Sequence, residues 1–273
     1  MKIKEIMDYL EEWVPTNLAE SWDNVGIQCG DKEATVKKII IALDPSEDAI
    51  DYAIKNNAQL IITHHPLFFS SFKNILYSEP LGKLILKIID HRLNIIALHT
   101  NLDSVTDGVS RALLEQLDIL PKGVIQPKQM PNVGFGWWGE LKENIEMEVF
   151  INQVKERLKL PIIKVVGGKE KIKKVGVCGG SASELLPLAI KLGLDAFVLG
   201  EIKYHPARLF EKMPLLILEV GHYESEKWVL LKIKEKLDAF FKKYNQNIEV
   251  LLFYEESPFK YYVEGGKLCV KYC

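Results

Sequence analysis

The chain of 273 residues has only four cysteines, Cys29, Cys178, Cys269 and Cys273, and no CxxC pair among them. That excludes a thiolate zinc finger and a disulfide framework, and reduced thiols in a cytoplasmic protein are the simplest expectation. Long apolar runs are also missing, and none approaches the ~20 residues a membrane helix needs. Residues 1–13 space Ile3, Ile6, Met7, Leu10 and Trp13 helically among acids, which suits an amphipathic helix and not a signal peptide. Neither sign of charge dominates: the net charge is −2 and the pI about 6.3. The basic stretches 169–174 and 232–236 mix with acids or end elements, so neither a nucleic acid nor a membrane is an expected partner. Gly179-Gly180-Ser181 ahead of a helix lacks GxGxxG and Walker spacing, so it is expected to cap that helix and not to cradle a phosphate. There is no low-complexity tract.

What is present is ample material for a core, 48% apolar residues against 26% charged, enough for one large domain or two modest ones. An internal repeat favours two. Residues 37–65 align without a gap onto 173–201, pairing Lys37-Lys38-Ile39-Ile40-Ile41 with Lys173-Lys174-Val175-Gly176-Val177 and Ala53-Ile54-Lys55 with Ala189-Ile190-Lys191. Both copies read as strand, turn, helix, strand. Asp44-Pro45-Ser46-Glu47 and Ser181-Ala182-Ser183-Glu184 are helix-start signals at equivalent places. The predicted division is a first α/β domain over 1–125 and a second over 126–222, with the segment 223–273 open to packing back on the first. A Pro- and Gly-rich connection over 121–136 marks the boundary.

His64-His65, after the apolar strand Leu60-Ile61-Ile62-Thr63 and before Pro66, carries the most chemistry. Adjacent imidazoles on an extended segment point in different directions, so each suits a separate ion better than both suit one. A lone pair of this kind is more often a turn or a satisfied core pair. Two further segments tip the balance toward metal: Asn94-Ile95-Ile96-Ala97-Leu98 runs into His99 and Asp103, and Leu215-Leu216-Ile217-Leu218 runs into His222 and Glu226. Ligands gather at the carboxyl ends of strands in parallel α/β sheets. His222 and Glu226 fall one turn apart at the start of a predicted helix over 223–237. Two similar halves facing one another would bring His64, His65, Asp103, His222 and Glu226 into one cleft. Three imidazoles with two carboxylates suit Zn, Mn, Fe or Co.

Other residues admit two roles. His99 is a candidate proton shuttle or a hydrogen-bonded loop histidine, and Glu201 a candidate acid or base or a partner of Lys203 or Arg208. Trp22, Asp23, Asn24 and Asn101 are candidate substrate contacts, although a Trp beside an Asx turn is commonly a packed corner. His91 and His205 carry no spacing argument.

Four segments in order, Glu20-Ser21-Trp22-Asp23-Asn24-Val25-Gly26-Ile27-Gln28, Thr63-His64-His65-Pro66-Leu67, His99-Thr100-Asn101-Leu102-Asp103 and Gly221-His222-Tyr223-Glu224-Ser225-Glu226, resemble the Nif-three-like dinuclear-metal family, also called GTP cyclohydrolase 1 type 2 homologues. The closing Ser257-Pro258-Phe259 is similar to that family's C-terminal pattern. The resemblance implies two interlocked, pseudo-symmetric α/β domains in a ring-shaped homohexamer. It also implies two divalent ions per chain, Zn, Mn or Fe, held by His64, His65, Asp103, His222 and Glu226. Trp137 or Trp138 stands where the family often has an arginine, and residues 265–273 extend past its usual end. The expected function is a hydrolase using a metal-bridged water on a nucleotide or related small molecule. The alternative is a non-catalytic metal-binding ring with a regulatory or scaffold role.

Overall fold

The computed structural model describes residues 1–128, 130–262 and 268–269. The protein is mixed α/β, and its strands in chain order are β1 (Gly26–Cys29), β2 (Lys38–Ala42), β3 (Leu60–Thr63), β4 (Asn94–Ala97), β5 (Leu120–Pro127), β6 (Gly134–Glu146), β7 (Lys164–Gly167), β8 (Lys171–Ser181), β9 (Ala196–Glu201), β10 (Leu216–Glu219) and β11 (Glu249–Leu252). These eleven form two sheets, one in each of two compact units, and two further short strands, Tyr261–Tyr262 and Leu268–Cys269, pair antiparallel in a separate ribbon.

The first unit comprises Met1–Val105 and Leu230–Glu255. Its sheet runs β1-β4-β3-β2-β11, with β4, β3, β2 and β11 parallel and β1 an antiparallel edge. The central strands are unbroken apolar runs because both faces are covered. Ser46, not Asp44, caps the helix Glu47–Lys55 by accepting from the Ala49 amide, and Ile50 and Ala53 of that helix pack on Ile40 and Ile61. β11 forms the far edge of this sheet, with Val250 opposite Ile39.

The second unit comprises Thr106–Val229 and the described residues from Glu256 on. Its sheet runs β5-β6-β8-β9-β10-β7, with β8, β9 and β10 parallel. Alternate residues of these strands feed two cores. Val175, Val198 and Leu218 pack with Leu113, Phe150 and Val154, whereas Phe197, Leu199 and Ile217 pack with Leu186 and Ala189. The predicted Pro- and Gly-rich connection over 121–136 is instead largely strand. β5 and β6 pair antiparallel, and the boundary expected after residue 125 falls inside β5. Prolines at positions 121 and 127 and three glycines between Gly134 and Gly139 hid the alternation that buries Trp137 and Leu141.

The internal repeat holds at the level of strand register. Ile39 lies opposite Leu60 and Val175 opposite Ala196, each pair member 136 positions from its counterpart. The next strands agree, since Asn94 lies opposite Leu60 and Leu216 opposite Ala196. Past them the short helices Thr100–Ser104 and His222–Glu226 occupy corresponding places. The helix expected to run unbroken over 223–237 is divided, His222–Glu226 being succeeded by Val229–Lys243. The indole N–H of Trp228 takes the Glu224 carbonyl at 2.9 Å, in competition with the backbone amide that would continue the spiral.

Candidate metal centre

In the first unit three histidines meet beyond the carboxyl ends of β3 and β4. The His65 amide donates to the Leu43 carbonyl at 2.9 Å and the Thr63 hydroxyl donates to the His65 carbonyl at 2.7 Å, which turns the chain immediately after β3. Strand alternation therefore ends at Thr63. The two imidazoles are not sent to opposite faces: their ring centroids lie 4.9 Å apart at 47°.

Each ring is fixed through Nδ1. His64 donates to the Leu98 carbonyl at 2.9 Å, His65 to the Asp44 carboxylate at 2.8 Å and His99 to the Asp23 carboxylate at 2.8 Å. These bonds set the tautomer that leaves each Nε2 without a proton, the form in which an imidazole nitrogen can ligate a metal or accept a proton. One ring nitrogen from each of His64, His65 and His99 lies within 4.8 Å of the others. Asp103 stands one helical turn beyond His99, its amide bonded to the His99 carbonyl, and its Oδ1 is 3.8 Å from His64 Nε2.

Two carboxylates behind these rings differ in character. Asp23 is buried, with its side chain 1% exposed, and burial alone would raise its pKa. Hydrogen bonds from His99, the Thr100 hydroxyl and the Thr100 amide outweigh burial and hold it well below the usual carboxylate range. Glu255 shows the reverse. It accepts from the Leu43 and Asp44 amides at 3.4 and 3.2 Å, yet burial, with the Asp44 charge adding to it, pushes its pKa up to about 7.

In the second unit the donor set hangs on β8, β9 and the helix His222–Glu226. His222 Nε2 is 3.2 Å from Glu226 Oε2, and His222 Nδ1 is 3.5 Å from Glu201 Oε2, at the end of β9. Arg208, a sequence candidate to pair with Glu201, binds Glu211. The Gly179-Gly180 pair has a steric role here. Gly180 has φ +65°, and a Cβ on it would stand 2.6 Å from Glu226 Oε1, while one on Gly179 would stand 3.0 Å from Glu226 Cγ. The Ser225 hydroxyl donates to the His222 carbonyl at 2.7 Å and accepts from the Gly180 amide at 3.1 Å, tying the short helix to the end of β8.

The remaining sequence candidates take more varied places. Trp22 is 63% exposed and meets the His99 ring edge-on at 6.0 Å. Asn24 donates to the Gln28 side chain and to the Phe68 carbonyl. Asn101 is fully buried, donating to the Val14 carbonyl and accepting from the Leu102 amide. His91 bonds the Lys87 carbonyl, and His205 lies exposed beside Tyr204. Sequence reasoning passed over Asp44, reading it as a helix cap. Its position just past β2, the neighbour of β3, was the signal for a partner of the histidine pair.

Both donor sets combine imidazole with carboxylate, the chemistry that suits borderline divalent ions. The chain is similar to known proteins along nearly its whole length. A Clostridium perfringens protein named GTP cyclohydrolase 1 type 2 homolog is 35% identical over 265 residues, covering 96% of this chain and 100% of the relative. A Helicobacter pylori protein named GTP cyclohydrolase 1 type 2 is 30% identical, with 87% and 92% covered. The crystal structure of Staphylococcus aureus hypothetical protein SA1388 superimposes with a TM-score of 0.89 at 29% identity, covering 96% of this chain and 99% of that one. The family model for Duf34/NIF3 (NGG1p interacting factor 3) matches residues 1–258, and the chain belongs to that family.

Proposed function

We propose that this protein is a metal-dependent hydrolase of the GTP cyclohydrolase 1 type 2 kind, acting on a nucleotide or related small molecule. His64, His65 and Asp103 together with His222 and Glu226 hold two divalent ions, Zn, Mn or Fe. The observation that carries this reading is the common anchoring of His64, His65 and His99 through Nδ1, with the His64 Nε2 atom 3.8 Å from the Asp103 carboxylate. A hydrogen bond from the other ring nitrogen to a carboxylate or carbonyl is the arrangement that orients metal-ligating imidazoles and fixes their tautomer. The relatives named GTP cyclohydrolase 1 type 2 support the reaction class.

A bound metal pair supplies Lewis acidity, lowering the pKa of coordinated water toward neutrality and polarising the bond to be cleaved. The protein's own groups do the rest. Asp23 fixes the proton of His99 on Nδ1, so His99 Nε2 is the atom that accepts a proton from the reacting water or returns one to the leaving group. Glu201, beside His222, is the second proton-handling candidate. By resemblance, the chain works as a homohexamer.

The test is turnover. Protein loaded with Mn, Zn or Fe is offered GTP, other nucleotides, phosphoesters and cyclic amides, with a chelated sample and Glu226→Gln as controls. The reading expects activity that is abolished by the chelator, restored by metal and reduced in Glu226→Gln. Equal turnover in wild type and variant, or none on any class with metal fully bound, contradicts it.

A further inference from the structure

Trp22 and Phe69 are large aromatic side chains left mostly in solvent, 63% and 61% exposed, although each stands against the histidine cluster. Both touch the same imidazole. Trp22 meets His99 at 6.0 Å and 75°, and Phe69 meets it at 5.7 Å and 88°, with His65 6.2 Å from Phe69 on its other contact. Neither contact with His99 is a parallel stack, and both aromatics stay mostly in solvent.

The segments bearing them are held firmly. Asp23, next to Trp22, is fixed by three bonds from His99 and Thr100, and the Glu20 amide donates to the Thr100 hydroxyl at 2.9 Å. Asn24 then ties this turn to the other aromatic segment, its amide donating to the Phe68 carbonyl at 3.0 Å. The Trp22-Asp23-Asn24 run is thus a bracket that holds the segments bearing both rings beside His99. Rigid, exposed aromatic faces beside a buried polar cluster are costly to maintain, and stacking on a flat ligand is the use that recovers that cost.

We propose that Trp22 and Phe69 form an aromatic mouth to the histidine cluster, gripping a planar unsaturated ring of the substrate by stacking while its reactive bond reaches the metal ligands. The chemistry after binding rests on the hydrolase reading, but the mouth itself is read by binding alone. Specificity then comes from ring planarity, and saturated rings of similar size are rejected because they lack a π face.

Calorimetric titration of the full-length protein, stripped of metal and metal-loaded in turn, tests this with inosine as the flat-ring probe and sucrose as the saturated one. Inosine is expected to bind saturably and sucrose not. Trp22→Ser and Phe69→Ser each weaken inosine roughly tenfold, the scale of one lost stacking contact, whereas Trp22→Phe, which restores a ring face, keeps most of the affinity. Absence of inosine binding, competition by sucrose, or unchanged affinity in both serine variants overturns the mouth. So does a fall in particle mass of those variants by light scattering, which would mean that a second copy of the chain covers these rings. Ring binding without turnover counts against the hydrolase reading alone, and turnover without ring binding counts against the mouth alone.

Discussion

At the residue scale, the chemistry depends on which imidazole nitrogen carries the proton. Asp44 settles this for His65 by accepting from Nδ1 at 2.8 Å. Asp44→Ala removes that anchor, and divalent metal affinity, read by competition with a chromophoric chelator, is expected to fall about 10- to 100-fold. Asp44→Asn keeps an acceptor oxygen and falls in between; affinity unchanged in both would remove Asp44 from the account. Gly180 is the second sensitive position. Gly180→Ala places a methyl 2.6 Å from Glu226 Oε1 at φ +65°, and thermal or denaturant unfolding should register a loss of about 1–3 kcal/mol. The histidine pair was legible because it follows an unbroken apolar strand and is closed off by Pro66. Asp44 was not, because its partner lies on the adjacent strand, which contacts β2 only in the folded sheet.

At the element scale, β11 brings Glu255 to the end of β2, where the Leu43 and Asp44 amides donate to it. A carboxyl whose pKa rises from 4.5 to about 7 on folding binds its proton more tightly in the native state. Stability is therefore fullest below the unfolded value and declines as pH rises from about 4.5 through about 7. Glu255→Gln lacks this decline. In chelator, wild type should lose on the order of 1–3 kcal/mol relative to the variant between about pH 5 and about pH 8, a figure reduced for the residue's partial exposure. Parallel pH profiles would show that Glu255 ionises freely. Asp195 works in the opposite sense: burial raises its pKa, but bonds from Lys169 and the Lys173 and Lys174 amides prevail, so its contribution disappears only as pH falls below the usual carboxylate range. The repeated strand-helix-strand segments were readable from sequence down to their register, because buried parallel strands cannot slip without exposing apolar residues. The β5-β6 hairpin and the break at Trp228 were not readable, since one hides its alternation behind glycine and proline and the other rests on a single indole bond.

At the scale of the whole molecule, no helix among the described residues is long and apolar enough to cross a membrane. The helix Pro80–Asp90 keeps Leu81 and Ile89 in solvent at the level of the single chain. The proposed hexamer should cover such residues, and light scattering at micromolar concentration is expected to give six chains per particle, a monomer being the contrary result. The central claim is that the two donor sets serve one pair of ions. Elemental analysis of protein purified without added metal or a nickel column tests it most directly, in wild type, Asp103→Ala and His222→Ala. Two equivalents of divalent metal per chain in wild type, cut in each folded variant, is the expected result; full occupancy in both variants, or no metal in wild type even after reconstitution, would contradict it.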